Sequence, residues 1–151
     1  MANARQEKLE MAVLQAGGLA LLAFVLVGQT GALLNYEWTV AAGLQESADQ
    51  VTPVGVAFNI GFAVADTLVY VPLLVAGLAG LWLGHPWGRL AMAAALGITA
   101  YWPIVCLRAI YEAAGAPGFA FSRQTIYAAL LLPVMAYGIW GLAFLLRQDR
   151  K

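Results

Sequence analysis

Four long apolar stretches alternate with shorter polar segments along the chain, and this alternation predicts four helices. The stretches cover about residues 11–34, 54–83, 89–111 and 125–146. A helix rises about 1.5 Å per residue, so roughly 20 apolar residues suffice to cross the hydrocarbon core of a bilayer. We therefore predict an all-α integral membrane protein in which residues 1–151 form a single membrane domain.

The connections between the stretches predict how the helices are arranged. Residues 35–53 are polar, and a short interfacial helix is expected over residues 40–48. Residues 84–89 read GHPWGR, where glycine and proline favour a tight turn. Residues 112–124 form the third connection. Helices joined by a turn as short as residues 84–89 pack as antiparallel neighbours. The sequence therefore predicts an antiparallel four-transmembrane-helix bundle.

Basic residues are distributed unequally between the two predicted faces of the membrane. Six lie on the face with both termini, against only Arg108 and Arg123 on the other face. The six are Arg5, Lys8, Arg89, Arg147, Arg150 and Lys151. Because basic residues favour the cytoplasmic side, both termini are predicted to be cytoplasmic. We expect the plasma (inner) membrane of a bacterium or archaeon.

Composition supports the membrane assignment and excludes several chemistries. The chain is 62% hydrophobic and 11% charged, with a mean hydropathy of +0.77, whereas soluble domains are about 25% charged. The net charge is zero and no basic patch is present, so no nucleic-acid partner is expected. Cys106 and His85 are the only residues of their types. An intrachain disulfide and paired haem histidines are thereby excluded, and no metal or cofactor is predicted.

One acidic residue, Asp66, lies near the middle of the second span and is the main functional signal. A carboxylate at that depth costs roughly 2.5–3.5 kcal/mol on insertion scales, so such residues usually face a protein interior. Asn59, Asp66 and Tyr70 are spaced by seven and four residues, which puts them on one helix face. Asp66 is interpreted as a pocket residue or a proton carrier, or else as a hydrogen-bonding anchor between helices.

The third span carries two polar faces, either of which can point toward Asp66. Tyr101, Arg108 and Glu112 share one face, and Thr99, Trp102 and Cys106 share the other. Polar side chains are concentrated between the midplane and the predicted outer surface, which favours a pocket there. The candidate ligand-binding residues are Gln29, Asn59, Asp66, Tyr70, Tyr101, Trp102, Arg108 and Glu112.

Three functions are compatible with this pattern. The first is binding, or transport, of a hydrophobic or amphiphilic small molecule or lipid anchored by Asp66. The second is a membrane-embedded isomerase or cyclase in which Asp66 is the catalytic general acid. The third is an accessory or assembly subunit of a larger membrane complex, which predicts a packed centre without a cavity. Small residues recur every fourth position in three spans, a pattern that suits internal packing, a homodimer or such a complex.

Overall fold

The computed structural model describes residues 2–121 and 123–148, with side chains described from residue 5 onward. Arg150 and Lys151, which contribute to the predicted charge bias, lie outside the described residues. Every regular element in the described part is helical.

The described chain forms four long helical spans, as predicted. They cover Arg5–Leu34, Ala48–Trp82, Pro86–Ala113 and Gln124–Gln148. Span one comprises α1 (Ala2–Val25) from Arg5 onward, a π-helical turn at Leu26–Thr30 and α2 (Gly31–Leu34). Span two comprises α4 (Ala48–Ala65), a second π-helical turn at Asp66–Tyr70 and α5 (Val71–Trp82). Spans three and four are α6 (Pro86–Ala113) and α7 (Gln124–Gln148).

The short helix of the first connection does not lie where it was predicted. It is α3, Tyr36–Ala41, rather than residues 40–48. The side chain of Asn35 starts it by accepting a hydrogen bond from the Trp38 backbone N–H at 3.0 Å. Gly43, at φ 72°, follows its end and turns the chain. Ser47 and Gln50 then form a capping box that starts α4.

The helices pack most tightly where glycines let two backbones meet. A Cβ atom added at Gly77 would lie 2.9 Å from the Met92 Cα, so α5 and α6 touch there without intervening side chains. A Cβ at Gly138 would lie 2.7 Å from the Ala100 N, which gives α7 a similar approach to α6. These contacts make α5, α6 and α7 the compact part of the bundle.

One of the two hydrophobic core clusters lies at one end of the bundle. Its buried members are Leu14, Leu78, Met92, Leu96, Phe144 and Leu145. We call this end the termini end, because Gln148 lies there, close to the C-terminus. Arg89 Nη2 donates a hydrogen bond to Gln148 Oε1 at this end, at 2.9 Å. The opposite end, formed by residues 35–47 and the connection after α6, is the loop end. The cavity described below begins beyond this core, toward the loop end.

Large apolar side chains cover the outside of the bundle. Leu68, Leu90, Ile104 and Leu130 are each more than half exposed, as are others on all four spans. Such a surface is unsuited to water and suited to lipid. The protein is therefore a four-span helical membrane protein with Asp66 buried in its second span.

Candidate functional site

Two π-helical turns meet inside the bundle and position its central polar side chains. They are Leu26–Thr30 in span one and Asp66–Tyr70 in span two, and their Thr30 and Thr67 hydroxyls are hydrogen-bonded at 2.9 Å. Turns of this kind widen a helix locally and often occur at functional sites. Pro72 follows the second turn and has no N–H with which to bond the Leu68 carbonyl, which favours an irregular helix at that point.

A cavity of about 350 Å³ lies beside these turns. It is bounded by α1, the two π-helical turns, α6 and α7. Its apolar wall includes Leu21, Val25, Leu131 and Val134. Its polar side chains are Gln29, Asp66, Tyr70, Thr99, Trp102 and Tyr137. Ligand pockets typically combine this size with an apolar wall and a few polar groups.

Asp66 is buried against the cavity, with 7% of its surface exposed. Among the described residues, no donor is hydrogen-bonded to its carboxyl group. Its neighbour Tyr70 is engaged elsewhere, because the Tyr70 hydroxyl lies 2.6 Å from that of Thr99. The Thr99 hydroxyl in turn donates to the Ala95 carbonyl at 2.8 Å, which fixes Tyr70 as the donor to Thr99. Asp66 is thus a cavity-lining residue whose carboxyl has no hydrogen-bond partner in the described chain.

Two further polar residues, Trp102 and Gln29, line the same cavity. The indole Nε1 of Trp102 is buried and has no hydrogen-bond partner in the described part of the chain. The amide oxygen of Gln29 accepts a hydrogen bond from Gln45 Nε2 at 3.3 Å, but no bond joins its own nitrogen to a described residue. The Trp102 nitrogen has no accessible surface of its own, so it is the rest of the Trp102 side chain that lines the cavity.

Tyr137 closes the cavity toward the termini end. Its hydroxyl donates to the Leu14 carbonyl at 2.5 Å. Its ring lies directly against Gly17, where a Cβ atom would come within 2.6 Å of the tyrosine Cζ. Position 17 must therefore be glycine for the Tyr137 ring to lie across the gap between α1 and α7.

The cavity opens sideways between α1 and α7. Ala20 and Phe24 on α1 and Leu130 and Pro133 on α7 line the cavity and are exposed at the surface of the bundle. Because the outside of the bundle faces lipid, this opening leads to the bilayer interior.

A polar network centred on Glu46 joins three helices at the loop end. The carboxylate of Glu46 accepts hydrogen bonds from the Tyr127 hydroxyl and from Asn59 Nδ2, the latter at 3.0 Å. The Tyr36 hydroxyl donates to the Glu46 carbonyl at 2.8 Å and accepts from Asn59 Nδ2 at 3.2 Å. Burial raises the pKa of Tyr36, which keeps its hydroxyl protonated and able to donate. The network fastens the loop that carries α3 to spans two and four.

The structure brings half of the predicted site residues together. Gln29, Asp66, Tyr70 and Trp102 all line the cavity. Asn59 lies in the Glu46 network instead.

The other candidates lie outside the cavity wall. Tyr101 is 65% exposed on the surface of α6. Arg108 and Glu112 form an exposed ion pair with each other, and the Arg108 guanidinium lies 5.3 Å from the centre of the Tyr111 ring. Of the two faces predicted on span three, the one with Thr99 and Trp102 is therefore the one that meets Asp66.

The sequence pattern does not identify several residues of the cavity and of the polar contacts around it. Glu46 and Gln45 looked like ordinary loop residues, and nothing in the local pattern indicates their contacts. Thr99 was recognised only as a member of the Trp102 face. Tyr137 offered a signal, because it is one of very few polar side chains in its half of the bundle.

No group of three or more histidine, cysteine or acidic side chains in the described part of the chain is placed to hold a metal ion. Comparison with protein-family models, with curated proteins and with solved structures gave no match.

Proposed function

We propose that this membrane protein binds a hydrophobic or amphiphilic small molecule in the cavity beside Asp66. The observation that carries the proposal is the Asp66 carboxyl, which has no hydrogen-bond partner in the described chain and belongs to an otherwise apolar cavity wall. Leaving a buried polar group unpaired costs about 1–3 kcal/mol. A ligand with a polar head and an apolar body would pair with this carboxyl and cover the apolar wall.

The lateral opening supports a ligand that comes from the bilayer. Its rim is formed by apolar side chains of α1 and α7, Phe24 and Leu130 among them. A molecule dissolved in lipid could pass this rim without crossing a polar surface. The termini end is filled by the core and by Tyr137, so it offers no comparable route.

The geometry favours binding over the two alternative functions. A general acid for isomerisation would gain support from a second titratable group within hydrogen-bond reach of Asp66, and no described residue is hydrogen-bonded to its carboxyl. An accessory subunit was expected to have a packed centre, whereas the bundle contains a cavity of about 350 Å³.

Ligand-dependent thermal stabilisation of the full chain tests the proposal. Decanol and decylamine are suitable probes, because each joins a small polar head to an apolar chain. A ligand present at about 100 times its Kd should add about 2.7 kcal/mol to the free energy of unfolding. For a chain of this size, each kcal/mol of added stability raises Tm by roughly 2–4 °C.

Replacing either of two alanines on α1 by tryptophan provides the matched comparison. Ala20→Trp places a large side chain in the mouth of the cavity, whereas Ala12→Trp places it on an exposed position of the same helix outside the cavity wall. We expect the probes to stabilise the wild type and Ala12→Trp but not Ala20→Trp. Equal stabilisation of all three proteins, or of none, would contradict binding in this cavity.

A further inference from the structure

The carboxyl group of Asp66 has no positive charge to balance it within the cavity wall. No lysine, arginine or histidine is among the described residues that line the cavity. Arg108 is on the exposed surface of α6 and is paired with Glu112. Arg89 lies at the termini end, bonded to Gln148.

The remaining basic residue near the loop end is also outside the cavity. The Arg123 guanidinium lies close to Gly43 of the first connection, 3.3 Å from where a Cβ of that residue would be. The basic side chains described elsewhere lie near the termini, on α1 before Met11 or at Arg147. The described protein thus supplies the cavity with a carboxyl group and with no cation.

The surroundings of Asp66 are well suited to a cation brought by the ligand. An unpaired charge in an apolar wall is expensive, and a counterion in direct contact offsets much of that cost. Four aromatic rings also line the cavity, those of Phe24, Tyr70, Trp102 and Tyr137. Ring faces attract cations, most strongly when the cation has lost its water.

We propose that the ligand is a lipophilic ammonium compound whose charged nitrogen pairs with the Asp66 carboxylate and whose apolar body fills the cavity. The inference rests on the proposed binding function and adds the charge of the ligand to it. An anionic amphiphile would meet the Asp66 carboxylate with a like charge and should be rejected. A neutral amphiphile would fill the apolar wall but leave the carboxylate without a counterion.

Three probes that differ only in their head group test this inference on the full chain. Decylamine is cationic at neutral pH, decanol is neutral, and decanoate is anionic. Binding is measured as the shift in Tm over a range of probe concentrations, with the protein in an uncharged detergent so that micelle charge does not concentrate one probe. In the wild type we expect decylamine to bind at least about 10-fold more tightly than decanol, a difference of about 1.4 kcal/mol. Decanoate is expected to bind most weakly.

Substitutions at Asp66 assign the preference to its charge. In Asp66→Asn we expect the advantage of decylamine over decanol to disappear, while decanol still binds. Asp66→Glu keeps the charge and should keep the preference. Asp49→Asn removes an exposed acidic residue at the start of α4, far from the cavity wall, and should behave as wild type.

The outcomes separate this inference from the proposed function. If decanol binds the wild type as tightly as decylamine, the cationic ligand is refuted while binding in the cavity stands. The same conclusion holds if Asp66→Asn keeps the full preference for decylamine. If none of the probes stabilises the wild type, both the proposed function and the inference fail. Because the comparison of head groups in the wild type requires no variant, an unstable Asp66→Asn protein leaves the test intact.

Discussion

The close crossing of α5 with α6, the helix that carries Thr99 and Trp102, can be tested directly. At this crossing Gly80 faces Gly88 with no side chain between the two backbones. A Cβ atom at position 88 would lie 2.6 Å from the Gly80 Cα and 2.5 Å from the Leu81 N. Both neighbours are backbone atoms, which cannot rotate away as a flexible side chain would.

Gly88→Ala should therefore push the two helices apart. Carbon atoms in contact are ordinarily about 3.5 Å apart, so the backbones must separate by about 1 Å. Overpacking of this kind costs about 1–3 kcal/mol. We expect the substitution to lower Tm by roughly 2–4 °C for each kcal/mol lost.

The matched control is Gly97→Ala on the same helix. A Cβ atom at Gly97 would have no neighbour within 4 Å, apart from the local helix backbone. Replacing an unhindered helical glycine by alanine stabilises a helix by about 1 kcal/mol. Thermal unfolding followed by circular dichroism at the helix band should thus give shifts of opposite sign for the two variants. If Gly88→Ala is as stable as Gly97→Ala, the described crossing of α5 and α6 is wrong.

Two further predictions concern the loop end. Glu46→Gln weakens the acceptor shared by Tyr127 and Asn59. It should lower the free energy of unfolding by about 1.5–3 kcal/mol, the contribution of one hydrogen bond to a charged group. The control is Glu37→Gln, at an exposed position of α3, which should leave Tm unchanged. Thr52 has φ 66° and ψ 164°, a conformation that costs residues other than glycine about 1–3 kcal/mol, so Thr52→Gly should raise Tm. Thr52→Ala keeps the unfavourable φ and should not raise it, and a lower Tm for Thr52→Gly would refute the strained conformation.

Hydropathy was sufficient to predict the four spans, because a helix in lipid must satisfy its own backbone and be apolar over the thickness of the bilayer. The helix ends were less predictable. Span two begins at Ala48 rather than near residue 54, because Ser47 and Gln50 cap a turn of helix in front of Pro53. Hydropathy carries no information about capping, so polar residues at a helix start read as part of the preceding loop.

Helical spacing predicts which residues of the site share a helix face. Asp66 and Tyr70 lie four residues apart on one face, and both line the cavity. Spacing could not decide which face of α6 meets them. Tyr101 and Trp102 are adjacent in sequence and therefore point about 100° apart on a helix. Close glycine contacts hold α6 against both α5 and α7, with Trp102 at the cavity and Tyr101 exposed.

Gln45 shows why the loop and the cavity have to be considered together. A π-helical turn displaces the regular hydrogen bonds, and backbone carbonyls inside a membrane protein still need donors. The Gly28 carbonyl in the first turn obtains one from Gln45 Nε2 at 3.2 Å, and the same nitrogen lies 3.3 Å from Gln29 Oε1. One side chain, only 9% exposed, thus satisfies the irregular backbone and orients the amide that lines the cavity. A change in the loop that displaces Gln45 would leave the Gly28 carbonyl without this donor and release Gln29, so the shape of the cavity depends on a residue outside the spans.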